Sequence, residues 1–352
     1  MSDSIKNVMK ALNHEKPDAL PVGPFIGNHS AFVSGIPIID YCTKGNKMAQ
    51  AQIVTWEKYK QDIIFLQSDN YYIAEGFGVK LNYHDDALPT FKAPAIENLK
   101  DISKLRVPSP WNDGRMNVYL DAIKIVKKQI GNEVVIRGTG TGPFALASHI
   151  IGTEKFLNEI AYAQYDLPEG DEPAIMELME LSTEALLQFC IAQMECGARL
   201  IHCGDSLASL DVISPETYKR YVFPFEKKFF TKLKPYAEKY KAFSLLHICG
   251  NNTKVLELYP QTGADAYEVD HKVDLKSCKE KIGDKMCLIG NVDPVQVLLR
   301  GSVQDVENAA RKCIDDASKG GGFILGSGCE VPMYTPQANI EALIRVARQY
   351  KY

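Results

Sequence analysis

The sequence predicts a (β/α)8 barrel, the TIM-barrel architecture, from three observations. Short apolar runs rich in β-branched residues alternate with longer amphipathic stretches, which is typical of parallel βαβ units. Eight such runs follow one another within 352 residues, a length that suits one large barrel. Polar residues follow nearly every run, and the carboxyl ends of barrel strands form the active-site face. An open, doubly wound sheet is the alternative, and it accounts less well for these polar ends.

The predicted elements alternate along the whole chain, so a single domain over residues 1–352 is expected. The predicted strands are residues 20–27, 62–69, 134–140, 199–205, 243–250, 265–271, 286–293 and 322–328. The predicted helices are residues 45–59, 117–130, 174–196, 215–239, 252–262, 275–282, 303–319 and 335–350. Residues 80–111 contain several prolines and no clear periodicity. They are predicted to form an insertion after the second strand that lies over the barrel mouth.

Composition argues against several classes of partner. The 40 basic and 44 acidic residues are spread along the chain without a long basic block, which argues against nucleic acid and anionic membranes. No apolar run reaches transmembrane length, and the first residues lack the apolar centre of a signal peptide. These features predict a soluble, cytoplasmic protein. The nine cysteines are not closely paired, so they are expected to be reduced thiols.

Two of the cysteines combine with a histidine in a pattern that suits zinc. His247 and Cys249 end the fifth apolar run, and Cys329 follows the eighth. Residues i and i+2 of a strand share a face, so His247 and Cys249 can both point toward the barrel axis. One imidazole and two thiols make a three-ligand zinc site with one open position, as in catalytic zinc centres. The spacing alone also fits buried cysteines without a metal, so both interpretations remain open at this point.

Other polar residues at the predicted strand ends are candidates for the same cleft. A buried charge without a partner costs several kcal/mol, so these side chains are expected to converge at the barrel mouth. The candidate catalytic residues are Asp69, Glu75 and Asp270. The candidate substrate-binding residues are Asn28, His29, Asp205 and Asn291. A structural hydrogen-bonding role is the alternative for the histidine.

Three segments resemble the cobamide-dependent methyltransferases of the uroporphyrinogen decarboxylase superfamily, which include the methylcobamide:coenzyme M methyltransferases. The segments are 246–251 (LHICGN), 289–294 (IGNVDP) and 326–332 (GSGCEVP), and the resemblance covers nearly the whole chain. It implies a (β/α)8 barrel, a zinc ion held by His247, Cys249 and Cys329, and a thiol as fourth ligand. It also implies methyl transfer between a thiol such as coenzyme M and a methylcobamide, the corrinoid being carried on a separate protein.

Three alternatives to this function involve different chemistry. Some members of the superfamily demethylate a small methylated compound and pass the methyl group to a corrinoid protein. Uroporphyrinogen decarboxylases carry an arginine-rich motif after the first strand, whereas residues 21–36 contain no Arg or Lys. Asp69 matches the catalytic aspartate of those decarboxylases, but Cys329 stands where they have a histidine. The third alternative is a zinc- or corrinoid-binding protein without catalysis, its fourth ligand being a carboxylate of the chain: Glu75, Asp270 or Glu330.

Overall fold

The computed structural model, which describes residues 2–352, contains a seven-stranded parallel sheet and a separate antiparallel pair of strands. The strands are β1 (Ile63–Phe65), β2 (Lys80–Asn82), β3 (Thr90–Ala93), β4 (Val135–Arg137), β5 (Leu200–Gly204), β6 (Phe243–His247), β7 (Ala266–Glu268), β8 (Cys287–Val292) and β9 (Phe323–Ser327). The order in the large sheet is β1-β4-β5-β6-β7-β8-β9. This order follows the chain, as a succession of βαβ units requires.

Helices connect the strands of the large sheet and pack around it. They are α1 (Asp3–Leu12), α2 (His29–Ser34), α3 (Ile38–Thr43), α4 (Gly45–Tyr59), α5 (Ala74–Phe77), α6 (Met116–Ile130), α7 (Pro143–Ile151), α8 (Thr153–Gln164), α9 (Glu172–Cys196), α10 (Pro215–Thr217), α11 (Phe223–Tyr240), α12 (Tyr259–Thr262), α13 (Leu275–Ile282), α14 (Val303–Ala317) and α15 (Gln337–Gln349). Within residues 2–352, none of these helices combines the length and apolar character needed to cross a bilayer.

The first predicted strand, residues 20–27, is wrong as an extended strand. It forms one β-bridge, between Val22 and Leu325. The N–H of Gly23 donates a hydrogen bond to the carbonyl of Leu325 at 2.8 Å. The N–H of Asp62 donates to the carbonyl of Val22, also at 2.8 Å. Pro24 has no N–H, so it cannot extend this pairing. Segment 21–23 nevertheless links β9 to the start of β1, and the result is a barrel-like α/β fold.

Several predicted helices also differ from the structure for identifiable reasons. Helix α7 lies between the predicted helices 117–130 and 174–196, where no helix was predicted, and all nine of its residues are buried. A helix that is apolar on every side lacks the amphipathic period by which helices are recognised. The predicted helix 252–262 is helical only from a 3₁₀ turn at Leu256–Leu258 onward. The predicted helix 215–239 contains a π-helical turn at Tyr218–Val222.

Helix α1 closes one end of the sheet and leaves the other end for the site. Its apolar residues Ile5, Val8 and Leu12 pack with inward-facing strand residues such as Ile63 and Val135. These strand residues stand at or near the amino ends of their strands. The carboxyl ends therefore form the opposite, open end, which is where parallel α/β barrels place their functional groups.

Residues 80–111 contain more regular structure than the sequence suggested. Strands β2 and β3 pair antiparallel, and a 3₁₀ turn follows at Leu99–Lys104. The hydroxyl of Tyr83, just after β2, donates to the carboxylate of Glu75, and the guanidinium of Arg115 lies 5.5 Å from the centre of the Tyr83 ring. The start of this segment therefore lies beside the residues that follow β1.

The buried carboxylate of Asp62 is expected to stabilise the junction of the two sheet edges. It accepts hydrogen bonds from the N–H of Val22 at 2.8 Å and from Arg348 at 2.7 and 2.9 Å. We expect Asp62→Ala to lower the free energy of unfolding by about 3 kcal/mol, because both donors lose a buried partner. Urea unfolding would measure the change.

A control for this substitution is Lys228→Ala. The ion pair of Lys228 with Glu180 is about half exposed to solvent, at 41% and 46%. Exposed pairs contribute about 1 kcal/mol or less, so this variant should unfold close to the wild-type protein. Equal losses in the two variants would contradict the role assigned to Asp62.

Candidate metal centre

Three side chains meet at the carboxyl end of the sheet. His247 is the last residue of β6, Cys249 follows two residues later, and Cys329 lies two residues beyond β9. The Nε2 atom of His247 is 3.2 Å from Sγ of Cys249 and 3.7 Å from Sγ of Cys329. The two sulfur atoms are 3.8 Å apart. Within residues 2–352, no other group of three His, Cys, Asp or Glu side chains has its ligand atoms this close together.

These distances match the edges of a tetrahedral zinc site. Bond lengths of about 2.3 Å for Zn–S and about 2.05 Å for Zn–N give edges of about 3.8 Å between sulfurs and about 3.6 Å between nitrogen and sulfur. The observed sulfur–sulfur distance of 3.8 Å agrees, and the observed nitrogen–sulfur distances of 3.2 and 3.7 Å lie on either side of the expected edge. The donor set could therefore hold zinc with little movement.

Asn252 holds the turn that carries Cys249. Its Nδ2 donates to the carbonyls of Ile248, Cys249 and Gly250 at 3.0, 3.0 and 3.2 Å. Its Oδ1 accepts from the N–H of Leu210 at 3.1 Å, and the side chain is fully buried. The sequence pattern predicts this residue at the start of a helix, residues 252–262. Asn252 follows the pair Gly250-Asn251, and a glycine followed by asparagines also indicates a turn, which is the signal that could have identified it.

Glu268 and Arg137 hold the imidazole of His247. The Nδ1 atom of His247 lies 3.0 Å from the backbone carbonyl of Glu268 and 3.5 Å from its carboxylate, which leaves Nε2 toward the sulfurs. Arg137 donates to that carboxylate at 3.1 Å and lies over the rings of Phe25 and Phe65. A second hydrogen bond of this kind commonly fixes the orientation of a metal-binding histidine. Glu268 was one of the polar strand-end residues expected at the mouth, without an assigned role, and Arg137 was not a candidate from the sequence.

The three side chains of the cluster are electrostatically coupled to one another. Burial alone would lower the pKa of His247, but its hydrogen bond to Cys329, the charge of that thiolate and the charge of Glu268 raise the pKa to about 9. The hydrogen bond with Cys249 and burial raise the pKa of the Cys329 thiol well above its ordinary value. A metal that binds here must therefore displace protons from these groups.

Glu330 lies beside the cluster and is held by a predicted substrate-binding residue. Its Oε1 accepts hydrogen bonds from the backbone N–H and the side-chain amide of Asn28, at 2.9 and 2.8 Å. The same amide of Asn28 donates to the carbonyl of Ser68 at 2.9 Å. Burial raises the pKa of Glu330 to about 7, against the opposing effects of Asn28 and Arg137. Asn28 thus links the loops that carry Glu330 and Ser68.

The candidate catalytic residues Asp69 and Glu75 share Arg115. Arg115 donates to the two carboxylate oxygens of Asp69 at 2.7 and 2.8 Å, and its Nε contacts Glu75. Burial would raise the pKa of Asp69, but the hydrogen bonds and positive charge of Arg115 hold it below its ordinary value. Arg115 was not a candidate from the sequence, because it lies before helix α6 and not at a strand end.

Asp270 lies in the loop after β7, and Asn291 lies near the end of the neighbouring strand β8. Oδ1 of Asp270 is 3.2 Å from Nδ1 of His271, whose Nε2 is 3.7 Å from Oδ2 of Asp293. The side-chain amide of Asn291 donates to the carbonyls of Asp270 and Val273, at 3.1 and 2.9 Å. Asn291 therefore fixes the loop that carries Asp270.

The remaining candidates, His29 and Asp205, bond to neighbouring elements. The ring nitrogens of His29 lie 2.9 Å from the carbonyl of Met333 and 3.0 Å from the hydroxyl of Tyr59. Asp205 accepts hydrogen bonds of 3.1 and 2.7 Å from the first N–H groups of α7, a favourable place for a carboxylate. Burial nevertheless raises the pKa of Asp205 to about 7. Substrate binding by either residue stays a prediction.

A cavity of about 820 Å³ lies at the opposite end of the sheet. Its lining includes Ile5 and Met9 of α1 and strand-start residues such as Val135 and Phe243. Active sites of parallel α/β barrels lie at the carboxyl ends of the strands. The cluster of His247, Cys249 and Cys329, and not this cavity, is therefore the candidate functional site.

The contacts of Asn252 predict a specific effect of its removal. We expect Asn252→Ala to destabilise the protein by about 2–4 kcal/mol, because three carbonyl groups lose their donor. In protein stripped of metal, Cys249 should also react faster with a disulfide reagent. Thermal unfolding and the rate of thiol modification would measure these effects. Asn251→Ala is the matched control, because Asn251 is exposed and its side chain hydrogen-bonds only with Thr253, so both quantities should remain unchanged.

Comparisons with known proteins agree with the resemblance noted in the sequence. Residues 3–350 match the family model described as Uroporphyrinogen decarboxylase (URO-D). The methylcobamide:CoM methyltransferase MtbA of Methanosarcina acetivorans is 33% identical over 280 residues, which are 79% of this chain and 77% of that protein. A uroporphyrinogen decarboxylase of Carboxydothermus hydrogenoformans is 26% identical over 97% of this chain and 95% of its own length.

A solved structure shows the same relationship. A methyltransferase from Methanosarcina mazei superposes with a TM-score of 0.85 at 26% sequence identity, over 99% of this chain and 98% of the other. The similarity thus extends over almost the whole fold and includes the strands that carry the cluster. The chain belongs to the uroporphyrinogen decarboxylase family.

Proposed function

We propose that the protein is a zinc-dependent corrinoid methyltransferase, which moves a methyl group between a methylcobamide on a corrinoid protein and a small thiol. The observation that carries this proposal is the close approach of His247, Cys249 and Cys329, at 3.2 to 3.8 Å between ligand atoms. The proposed reaction is of the class named for the similar methyltransferase from Methanosarcina acetivorans, a methylcobamide:CoM methyltransferase.

His247, Cys249 and Cys329 would hold the zinc and leave one position open to the substrate. A free thiol has a pKa of about 8.5 and attacks only as the thiolate. Zinc bound at this site would lower the pKa of the substrate thiol, so that its sulfur is nucleophilic at neutral pH. Soft thiolate ligands together with imidazole suit zinc better than magnesium or calcium, which prefer oxygen.

The surrounding residues keep these ligands in place during the reaction. Glu268 fixes the ring of His247 through Nδ1, and Asn252 fixes the turn of Cys249. In the transfer to the thiol, the bond between the methyl carbon and cobalt breaks and a carbon–sulfur bond forms. The electron pair of the broken bond stays on cobalt, which goes from Co(III) to Co(I).

The other candidate residues would act mainly by holding the loops and helices that form the barrel mouth. Asn28 holds Glu330, and Arg115 ties Asp69 to Glu75. His29, Asp205, Asp270 and Asn291 would hold the loops and helices that surround the cluster. Porphyrinogen decarboxylation is not favoured, because both oxygens of Asp69 bond to Arg115 and residues 21–36 contain no cation.

The architecture in this proposal is a single (β/α)8 barrel whose mouth receives the corrinoid protein. The hydrogen bonds of segment 21–23 to both sheet edges support a closed barrel with this segment as its remaining strand. The contact of Tyr83 with Glu75 supports a position for residues 80–111 at the rim of the mouth. The corrinoid would approach the cluster from this open end.

The proposal predicts about one zinc ion per chain in the purified protein. Cys329→Ala should lower zinc content at least tenfold, because two ligands seldom retain zinc against dilution. Cys196→Ala is the matched control: Cys196 is buried at the end of α9, outside the cluster, and its removal should leave zinc content unchanged. Elemental analysis after gel filtration measures both. Full zinc occupancy in the Cys329 variant would refute the assigned ligand set.

The proposal also predicts methyl transfer from free methylcobalamin to thiols, including coenzyme M. The change in cobalt absorbance follows the reaction. Removal of metal by a chelator should abolish activity, and added zinc should restore it. Undiminished transfer by the stripped protein, with no thiol specificity, would contradict the zinc mechanism.

A further inference from the structure

The cavity at the amino ends of the strands is large enough to hold a small molecule. Its volume of about 820 Å³ falls within the range of roughly 300–1,000 Å³ that is usual for ligand pockets. Helices α1 and α11 and the starts of β4 and β6 contribute to its lining. The apolar side chains of this lining include Ile5, Met9, Phe230, Leu233 and Phe243. They favour a ligand with an apolar body, because its surface would be removed from water.

The same cavity is lined by more cations than anions. The cations are Lys127, Arg199, Lys234 and Lys241, and the anions are Glu238 and Asp265. Within residues 2–352, none of these four cations forms an ion pair with a carboxylate. Oδ2 of Asp265 instead accepts hydrogen bonds from the N–H and the hydroxyl of Ser244, both at 2.7 Å. An anion that enters the cavity would therefore meet positive charge that no carboxylate has neutralised.

Two of the cations have a structural role at helix ends. Lys127 lies in the last turn of α6, and its Nζ donates to the carbonyl of Gly131 at 3.3 Å. Lys241 is the residue that caps the end of α11. Cations at these places offset the partial negative charge of a helix carboxyl end. A negatively charged ligand is therefore better assigned to the other two cations, Arg199 and Lys234.

The guanidinium of Arg199 has donors to spare. The residue is half-buried, and backbone hydrogen bonds of 2.9 Å with Ile136 and Phe243 fix it between the starts of β4 and β6. Within residues 2–352, its guanidinium makes one hydrogen bond, to the carbonyl of Ala198 at 3.0 Å. A guanidinium carries five N–H donors in a fork that suits a carboxylate or a phosphate. Lys234, inside α11, lines the same cavity and adds a second positive charge.

We propose that this cavity binds a small amphipathic anion. Its oxyanion head contacts Arg199 and Lys234, and its apolar chain or ring lies against the apolar side chains of α1 and α11. The site lies at the opposite end of the sheet from the cluster of His247, Cys249 and Cys329, and it does not depend on the proposed methyl transfer. The ligand class is that of an alkyl or aryl carboxylate or phosphate.

The test uses two fluorescent probes that differ only in an anionic group. One is 8-anilino-1-naphthalenesulfonate, and the other is N-phenyl-1-naphthylamine, which has the same rings without the sulfonate. The sulfonate probe should bind the folded protein at one saturable site, with a Kd at least tenfold lower than that of the uncharged probe, because hydrogen bonds to charged groups are the stronger ones. Decanoate should displace it at least tenfold better than 1-decanol does.

Arg199→Met removes the charge and keeps a long apolar side chain. The Kd of the sulfonate probe should rise about tenfold, while the Kd of the uncharged probe should stay within about twofold. Lys239→Met is the matched control, because it removes one positive charge from α11 at a position that does not line the cavity. It should leave both Kd values unchanged.

Ala242→Phe tests the location of the bound probe. Ala242 lines the cavity, and a phenyl ring there would occupy part of its volume, so both probes should lose affinity about tenfold. If this variant does not fold, as judged by thermal unfolding, the comparison of Arg199→Met with Lys239→Met decides the question.

Four results would overturn the proposal. The first is the absence of saturable binding of the sulfonate probe to the wild-type protein. The second is equal affinity of the two probes, and the third is unchanged binding of the sulfonate probe by Arg199→Met. The fourth is full binding by a folded Ala242→Phe variant, which would place the probe elsewhere, such as the barrel mouth.

Discussion

Curvature of the sheet is the constraint on which the cluster of His247, Cys249 and Cys329 depends. Strands β6 and β9 are separated by two other strands, and neighbouring strands lie about 4.8 Å apart, so a flat sheet would hold the two strands about 14 Å apart. The sulfurs of Cys249 and Cys329, which follow these strands, are only 3.8 Å apart. The sheet must therefore bend around an axis, and the link through segment 21–23 to both edges maintains that bend.

A buried ion pair next to the cluster orients one of its side chains. Arg137 and Glu268 form a fully buried ion pair, which is costly to desolvate unless its geometry is good and further bonds satisfy it. Phe25 and Phe65 cover the guanidinium, while Glu268 also engages the imidazole of His247. The ion pair thus orients the side chain of His247, and the turn held by Asn252 orients that of Cys249.

Periodicity predicted much of this architecture, and chemistry predicted the cluster. Each strand of the large sheet lies within a predicted apolar run, because strands buried on both faces form continuous apolar segments. His247, Cys249 and Cys329 stood out because thiols and imidazole at strand ends have a distinctive chemistry. Helix α7 was missed because it is buried on every side, and the first strand was overextended because Pro24 limits its pairing.

The residues that hold the site in place could not be predicted from periodicity or from the chemistry of single side chains. The roles of Arg115 and Glu268 depend on contacts across 46 and 131 residues of chain, with Asp69 and Arg137 respectively. No local pattern encodes such pairs. Substrate binding by Asn28 stays a prediction, and its observed hydrogen bonds go to Glu330 and to the backbone of Ser68. A strand-end position thus indicates the neighbourhood of a side chain better than its partner.

The turn held by Asn252 affects how the protein would respond to a shortage of metal in the cell. Four hydrogen bonds of the Asn252 side chain, all to backbone groups of the chain, shape this turn. Small zinc domains such as zinc fingers are unfolded until the metal arrives. Here hydrogen bonds within the chain shape the turn, so under the proposed zinc-dependent function a scarcity of zinc would silence the enzyme without unfolding it, and activity would return with the metal.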